Sequence, residues 1–165
     1  MEKKFKVGMY GGKFMPMHKG HLYCIDVASK ECDIVYIILF YGGEQEQSIM
    51  AQDFSKDQDL KIINRIHQLW RVAGKYTNVI PIFIDISKCR LSDGTEDWDA
   101  ETPLVLACCG HLDAVYGSEP SYADYFARAY PGAVYRCLDP DRKELNISAT
   151  MIRNMNKEER KEWMV

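Results

Sequence analysis

Five short runs of apolar, β-branched and aromatic residues punctuate this chain: Phe5–Tyr10, Ile34–Phe40, Val79–Ile84, Ala114–Tyr116 and Val134–Tyr135. Between them stand segments whose apolar residues recur at helical spacing. In Gly20–Glu31 these are Leu22, Ile25 and Val27–Ala28. In Asp57–Ala73 they are Leu60, Ile62–Ile63, Ile66, Leu69–Trp70 and Ala73, with Gly74 as the stop. Thr102–Cys109 and Tyr122–Ala129 read as shorter helices bounded by Gly110 and Pro131, and Ser148–Asn154 as a last one capped from Asn146 or Ser148. A parallel sheet is covered by helices on both faces, so its strands are apolar along their length. The alternation predicts an α/β fold, Rossmann-like and doubly wound, with a five-stranded, mostly parallel sheet. One domain, 1–165, is the simplest division, because no internal repeat, low-complexity tract or Pro/Ser-rich linker interrupts the 165 residues.

Where the first strand gives way to the first helix the chain reads Gly-Gly-Lys-Phe-Met-Pro-Met-His-Lys-Gly-His, residues 11–21. In an open α/β sheet, ligands sit beyond the carboxyl ends of the strands. A helix start there offers unpaired backbone N–H groups and a partial positive charge, which suits phosphate. Lys13 and Lys19 add cationic reach, and Gly20 lets backbone and phosphate approach closely. His18 and His21, three apart, share one face. Attack on the α-phosphorus of a nucleoside triphosphate builds charge on nonbridging oxygens, and imidazole donors held there can stabilise it without covalent chemistry. A metal pair has the same spacing, but no nearby third ligand completes it, so no metal ligand is assigned. Towards the other end, Ser148 and Thr150 offer hydroxyls at a helix start, and Arg153 can reach back to phosphate as a fixed planar cation. The polar segment Ser87–Ala100 is long for an α/β connection and is expected to be a loop at the same sheet edge, carrying Trp98. Gly117-Ser118-Glu119 follows the fourth strand and is expected to reach that edge too.

Gly-Lys-Phe-x-Pro-x-His-x-Gly-His at 12–21 and Ile147–Arg153 together resemble the two motifs of the nucleotidyltransferase superfamily with a His-x-Gly-His site. Within it the chain is similar to the nicotinamide mononucleotide (NMN) adenylyltransferase domain of bifunctional NAD-biosynthesis proteins. Arg65 to Trp70, Asp97-Trp98-Asp99 and Asp139-Pro140-Asp141-Arg142 have that form. The resemblance implies transfer of AMP from ATP to NMN, giving NAD and pyrophosphate. It gives catalytic roles to His18, His21, Lys13 and Arg153. It gives nucleotide binding to Gly11, Gly12, Phe14, Gly20, Ser118, Ser148 and Thr150. Trp98 falls to the nicotinamide, since an indole face attracts a flat pyridinium cation; the fuller family pattern carries a second tryptophan nearby. Mg2+ is expected mainly on the ATP phosphates. The alternatives are a cytidylyl- or adenylyltransferase acting on a different phosphorylated acceptor, and a nucleotide-sensing module without turnover. No Gly-x-x-x-x-Gly-Lys-Ser/Thr occurs, so the kinase half of the bifunctional proteins has no counterpart in this sequence.

Charge and composition narrow the partners. Lys and Arg number 21 against 24 Asp and Glu, for a net charge of −3, with no basic block. Nucleic acid is therefore not an expected partner, while a local positive cluster can still serve a small anion. No run approaches the roughly 18 apolar residues of a membrane span, and Met1-Glu2-Lys3-Lys4 does not open a signal-type segment. The expectation is a cytoplasmic protein without a membrane partner; a homo-oligomer is left open. The six cysteines form no Cys-x-x-Cys pair and read as reduced, mostly buried small apolar residues. His67 and His111 read as structural, and Met15 and Met17 as packing residues.

Overall fold

The computed structural model describes residues 2–165. Its elements, in chain order, are β1 Phe5–Gly12, α1 Lys19–Glu31, β2 Cys32–Tyr41, α2 Glu44–Ala51, α3 Ile62–Ala73, β3 Val79–Asp85, α4 Trp98–Cys109, β4 Ala114–Gly117, α5 Ala123–Ala129, β5 Val134–Cys137, α6 Ala149–Arg153 and α7 Lys157–Arg160. The five strands form one sheet in the order β3-β2-β1-β4-β5, and every pairing is parallel. The sheet is thus wholly parallel where the sequence predicts mostly so. The chain builds outward from β1 to β3, then crosses back to place β4 on the other side of β1. The carboxyl ends of β1 and β4 flank that switch point, which is where an α/β sheet opens a crevice.

Side chains alternate along the central strands, and both faces are apolar. Tyr10, Ile37 and Leu39 pack with Ile25 and Ala28 of α1 and with Leu69 and Val72 of α3. Their neighbours Met9 and Ile38 face the other way and pack with Val105 of α4, Val115 and Tyr130. Ile25, Ile37, Ile38 and Leu39 have 0% exposure. Each such side chain contributes about 1.5–3 kcal/mol relative to leaving it in water. This core holds the carboxyl ends of β1 and β4 in fixed register.

Three departures from the sequence reading have local causes. The long helix expected from Asp57 is a 3-10 turn, Gln58–Leu60, followed by α3, because Asp57 caps Asp59 N–H at 3.1 Å and Lys61 is extended. The expected loop Ser87–Ala100 ends early: Asp97 caps α4 by accepting from Ala100 N–H at 3.2 Å, so Trp98 opens a helix that carries Pro103 inside it. The helix begins there and not at Thr102. Two further helices appear. No residue of α2 is buried, which leaves it without an apolar stripe. The short α7 is held by a reciprocal cap between Asn156 and Glu159.

The cysteines are free; Cys24, Cys32, Cys89 and Cys109 are buried, Cys108 is exposed and Cys137 is half-buried. Met15 and Met17 are buried. Among the described residues no helix is long and apolar enough to cross a membrane.

Candidate active site

His18 is where the chain turns into α1. Its backbone is extended (φ −141°, ψ 176°), and its Nδ1 accepts a hydrogen bond from Gly20 N–H at 3.0 Å. His18 N–H in turn donates to Nδ1 of His21 at 3.2 Å. This is a capping box in which imidazoles do the work usually done by Ser or Thr and Glu. The rings stack with centroids 3.8 Å apart and planes at 30°. Each Nδ1 accepts, so each neutral ring carries its proton on Nε2, an assignment made from the hydrogen-bond network. Burial, then the Arg142 cation, pushes His18 down to about 4. Burial, then the neighbouring His18 and Arg142, pushes His21 well below the usual imidazole range. Near neutral pH the pair is two uncharged N–H donors.

The helix start itself is less open than the sequence suggests. Lys19 N–H donates to Trp163 carbonyl at 2.8 Å, Gly20 N–H to His18, and Leu22 N–H to His18 carbonyl at 3.1 Å. These backbone donors are spent inside the protein, and the imidazole donors left at this turn are the two Nε2–H groups. Gly20 is needed by the ring: a Cβ there would lie 2.8 Å from His18 Cε1 and 3.3 Å from Ile147 Cγ2. Gly12 makes room in the same way for Phe14, whose ring a Cβ would meet at 3.0 Å. Phe14 adopts φ 49° and stands edge-on to His21, with centroids 4.9 Å apart.

A cleft of about 430 Å³ opens at this edge of the sheet, lined by Lys13, His21, Trp98, Ser118, Arg142 and Arg153, with Gly11, Gly12 and Phe14 among the other lining residues. A second hollow of about 290 Å³ shares Tyr10, His21, Ser118 and Arg142 with it and adds His18, Gly20, Ser148 and Thr150. Every residue given a catalytic, nucleotide-binding or nicotinamide role from the sequence lies on one of these two adjoining surfaces, whereas Lys19, expected to add cationic reach, lines neither. His67 and His111 line neither.

Arg153 ties the last motif to the first. It donates from Nη1 to Met15 carbonyl at 2.9 Å and from Nη2 to Thr150 Oγ1 at 3.2 Å, with Phe54 6.0 Å below the guanidinium. Ser148 Oγ accepts from Met151 N–H at 3.2 Å and caps α6. Ser118 Oγ lies 3.5 Å from Cys24 Sγ. Lys13 Nζ lies 3.5 Å from Glu96 Oε1, an ion pair. Glu101 stands beside Glu96, and burial, then the Glu96 charge, pushes its carboxyl up to about 8. Trp98 sits between Tyr122 and Tyr125, edge-to-face at 4.9 and 5.1 Å, and its carbonyl accepts from Tyr125 hydroxyl at 2.6 Å.

Sequence reasoning did not assign Arg142, Tyr122 or Tyr125. Arg142 had a signal, the turn Asp139-Pro140-Asp141-Arg142. There the Asp139 carboxylate accepts from the N–H groups of Lys143, Glu144 and Leu145, and Asp139 and Arg142 take φ 45° and 53°. Arg142 Nη1 is fixed by Ile147 carbonyl at 2.6 Å. The tyrosines come from a separate segment that folds back onto Trp98, and nothing in their own sequence marks them. Among the described residues no group of three or more His, Cys, Asp or Glu is placed to hold a metal ion.

The family model described as cytidylyltransferase-like matches residues 9–155, nearly the whole chain and both motifs. The chain belongs to the cytidylyltransferase-like family. Its relatives include the trifunctional NAD biosynthesis/regulator protein NadR of Salmonella typhimurium, 26% identical over 149 residues. That match covers 89% of this chain and 36% of NadR, so the chain spans little more than a third of that relative. Among solved structures, NadR in complex with NR superposes with a TM-score of 0.68 at 21% identity, over 99% of this chain and 43% of that one. A bifunctional NMN adenylyltransferase/ADP ribose pyrophosphatase from Francisella tularensis, complexed with AMP and a Mn ion, gives 0.57 at 18% identity over 90% and 40%. A putative nicotinate-nucleotide adenylyltransferase from Vibrio parahaemolyticus gives 0.57 at 18% over 99% and 94%. The five-stranded Rossmann-like fold of this cytidylyltransferase-like chain is the fold of these proteins.

Proposed function

We propose that this chain transfers AMP from ATP to NMN, giving NAD and pyrophosphate. The observation that carries the reading is that imidazole and cationic side chains and an aromatic box line one cleft and the hollow adjoining it. An oxygen of the NMN phosphate attacks the α-phosphorus of ATP in line. A new P–O bond forms, the bond between the α-phosphorus and its bridging oxygen breaks, and pyrophosphate leaves. The Nε2–H groups of His18 and His21 donate to the oxygens on which charge grows, and being neutral they need no proton transfer. Arg153, already held by Met15 and Thr150, meets the leaving phosphates without reorganising. Arg142, which lines both hollows, adds positive potential, and Lys13 exchanges Glu96 for phosphate. Mg2+ enters with ATP as part of the substrate. Trp98, Tyr122 and Tyr125 receive the pyridinium ring, a flat cation suited to aromatic faces.

Pyrophosphate release tests the reading, measured with ATP or CTP against a panel of phosphorylated acceptors. Turnover is expected with ATP and NMN. Turnover with another acceptor alone removes the NAD assignment, and binding without turnover on any acceptor points to a sensing module.

A further inference from the structure

The solved structures with this fold include an NMN adenylyltransferase and a putative nicotinate-nucleotide adenylyltransferase. Their acceptors differ at one substituent of the pyridine ring, a carboxamide in one and a carboxylate in the other. The fold does not choose between them.

The wall beside Trp98 does. Glu96 and Glu101 stand on either side of Trp98 in sequence and line the same cleft. One oxygen of each, Oε1, is buried without a hydrogen-bond partner. A buried acceptor left unpaired is costly, and such atoms in a native protein call for an explanation. The cation at ion-pair distance from them is Lys13, through Glu96. In the proposed reaction Lys13 moves to the triphosphate, and the acid pair is left with a net negative charge and with Glu96 Oε1 stripped of its cation. Burial and the Glu96 charge hold Glu101 protonated at neutral pH, so the pair then carries one negative charge.

We infer that Glu96 and Glu101 select the carboxamide form of the acceptor over the carboxylate form. The amide NH2 donates to the pair at the oxygen that Lys13 vacates, and the pyridinium ring supplies the positive charge that Lys13 withdraws. A nicotinate ring carries its own carboxylate, brings no net positive charge and meets the pair as a third acid. The discrimination thus combines an attractive and a repulsive element. The inference rests on the NMN reading of the same cleft and adds the residues that decide between amide and acid.

Steady-state kinetics with ATP and either NMN or nicotinate mononucleotide test it. The wild type is expected to favour NMN by about 100-fold or more in kcat/KM, as sites built around a polar substituent do. The E96Q/E101Q double variant should bring the two acceptors within about tenfold, chiefly by lowering KM for the nicotinate nucleotide. Its unfolding midpoint reports whether it folds; if it does not, E101Q alone carries the same expectation of a narrowed ratio. Equal use of both acceptors by the wild type, or an unchanged ratio in the folded variants, overturns the inference and leaves the NMN reading standing. Use of nicotinate mononucleotide alone overturns both, and use of neither removes the reading and the inference with it.

Discussion

At the α1 end of the cleft both imidazole Nδ1 atoms are paired before any ligand arrives, whereas beside Trp98 two buried carboxyl oxygens lack a hydrogen bond and one of them, Glu96 Oε1, has only its ion pair with Lys13. The first arrangement suits catalysis. Donors already fixed by the protein cost no reorganisation as charge develops, which is where electrostatic stabilisation is most effective. The second suits recognition, because a group that lacks a partner distinguishes a ligand able to supply one from a ligand that is not. Under the proposed reaction, one cleft separates its rate from the choice of acceptor. Changes at the α1 end should fall on turnover, and changes at the Trp98 end on the acceptor's Michaelis constant.

The largest effect is expected from His18→Asn. Asparagine caps a helix well, so its side-chain oxygen can still receive Gly20 N–H, but the Nε2–H is gone. Turnover should fall by about 10²–10³, the usual loss for one transition-state donor, with the unfolding midpoint little changed. His21→Ala should lose turnover to the same degree. If His18→Asn retains turnover, the imidazole is a cap and nothing more, and the contrast between the two ends collapses. Gly20→Ala sharpens the point. Alanine raises intrinsic helix stability by about 1 kcal/mol over glycine, yet the new methyl must displace the His18 ring. A loss of about 100-fold in turnover is expected, the scale of a small misplacement, and kcat read beside thermal stability distinguishes this from unfolding.

Arg153→Lys keeps the charge and loses the planar fork that bonds Met15 carbonyl and Thr150 together. Turnover should drop by about tenfold, more than stability does, and a wild-type rate would place Arg153 outside the phosphate path. Trp98→Ala should raise KM for NMN by about two- to thirtyfold and leave KM for ATP nearly untouched. Equal weakening of both substrates would mean that the start of α4 has collapsed and would erase the division of labour.

The smallest effect is on stability against pH. The unfolded chain protonates its imidazoles below about pH 6.5, while the folded chain keeps His18 neutral down to about 4. The unfolded state therefore binds more protons in that window, and stability rises with pH by at most about 1.4 kcal/mol per pH unit for each imidazole. Unfolding midpoints of His18→Asn measured from pH 4 to 6.5 should show a shallower slope than those of the wild type. An identical slope would mean that His18 titrates alike in both states.

The strands and α1 are legible in the sequence because burial on both faces imposes a continuous apolar run, as in Ile34–Phe40, and one covered helix face imposes the spacing of Leu22 and Ile25. The end that carries His18, His21 and Arg153 is legible for a related reason: its residues are local to two short turns. What escapes is what has no period or no neighbour. α2 buries no residue and is fixed through Glu46, which accepts from Arg65 and from Gly42 N–H. The start of α4 is hidden by the polarity of Asp97–Ala100 and by Pro103. Tyr122 and Tyr125 reach Trp98 by tertiary folding, so the aromatic box exists in no stretch of sequence. The backbone donors of α1 are the reverse case, present in any helix start and here consumed by Trp163 carbonyl and by His18.

The orientation of the two imidazoles has a further consequence for their reactivity. A neutral imidazole attacks electrophiles and coordinates metals through the lone pair on its unprotonated nitrogen. In His18 and His21 that nitrogen is Nδ1, and both lone pairs are turned onto backbone N–H groups, leaving only N–H bonds at Nε2. The pair that spacing alone would pass as half of a zinc site is, as folded, without a free electron pair to offer. Transition metals can take it only by undoing the cap of α1, and acylating reagents that mark nucleophilic histidines should modify the exposed His67 and His111 first.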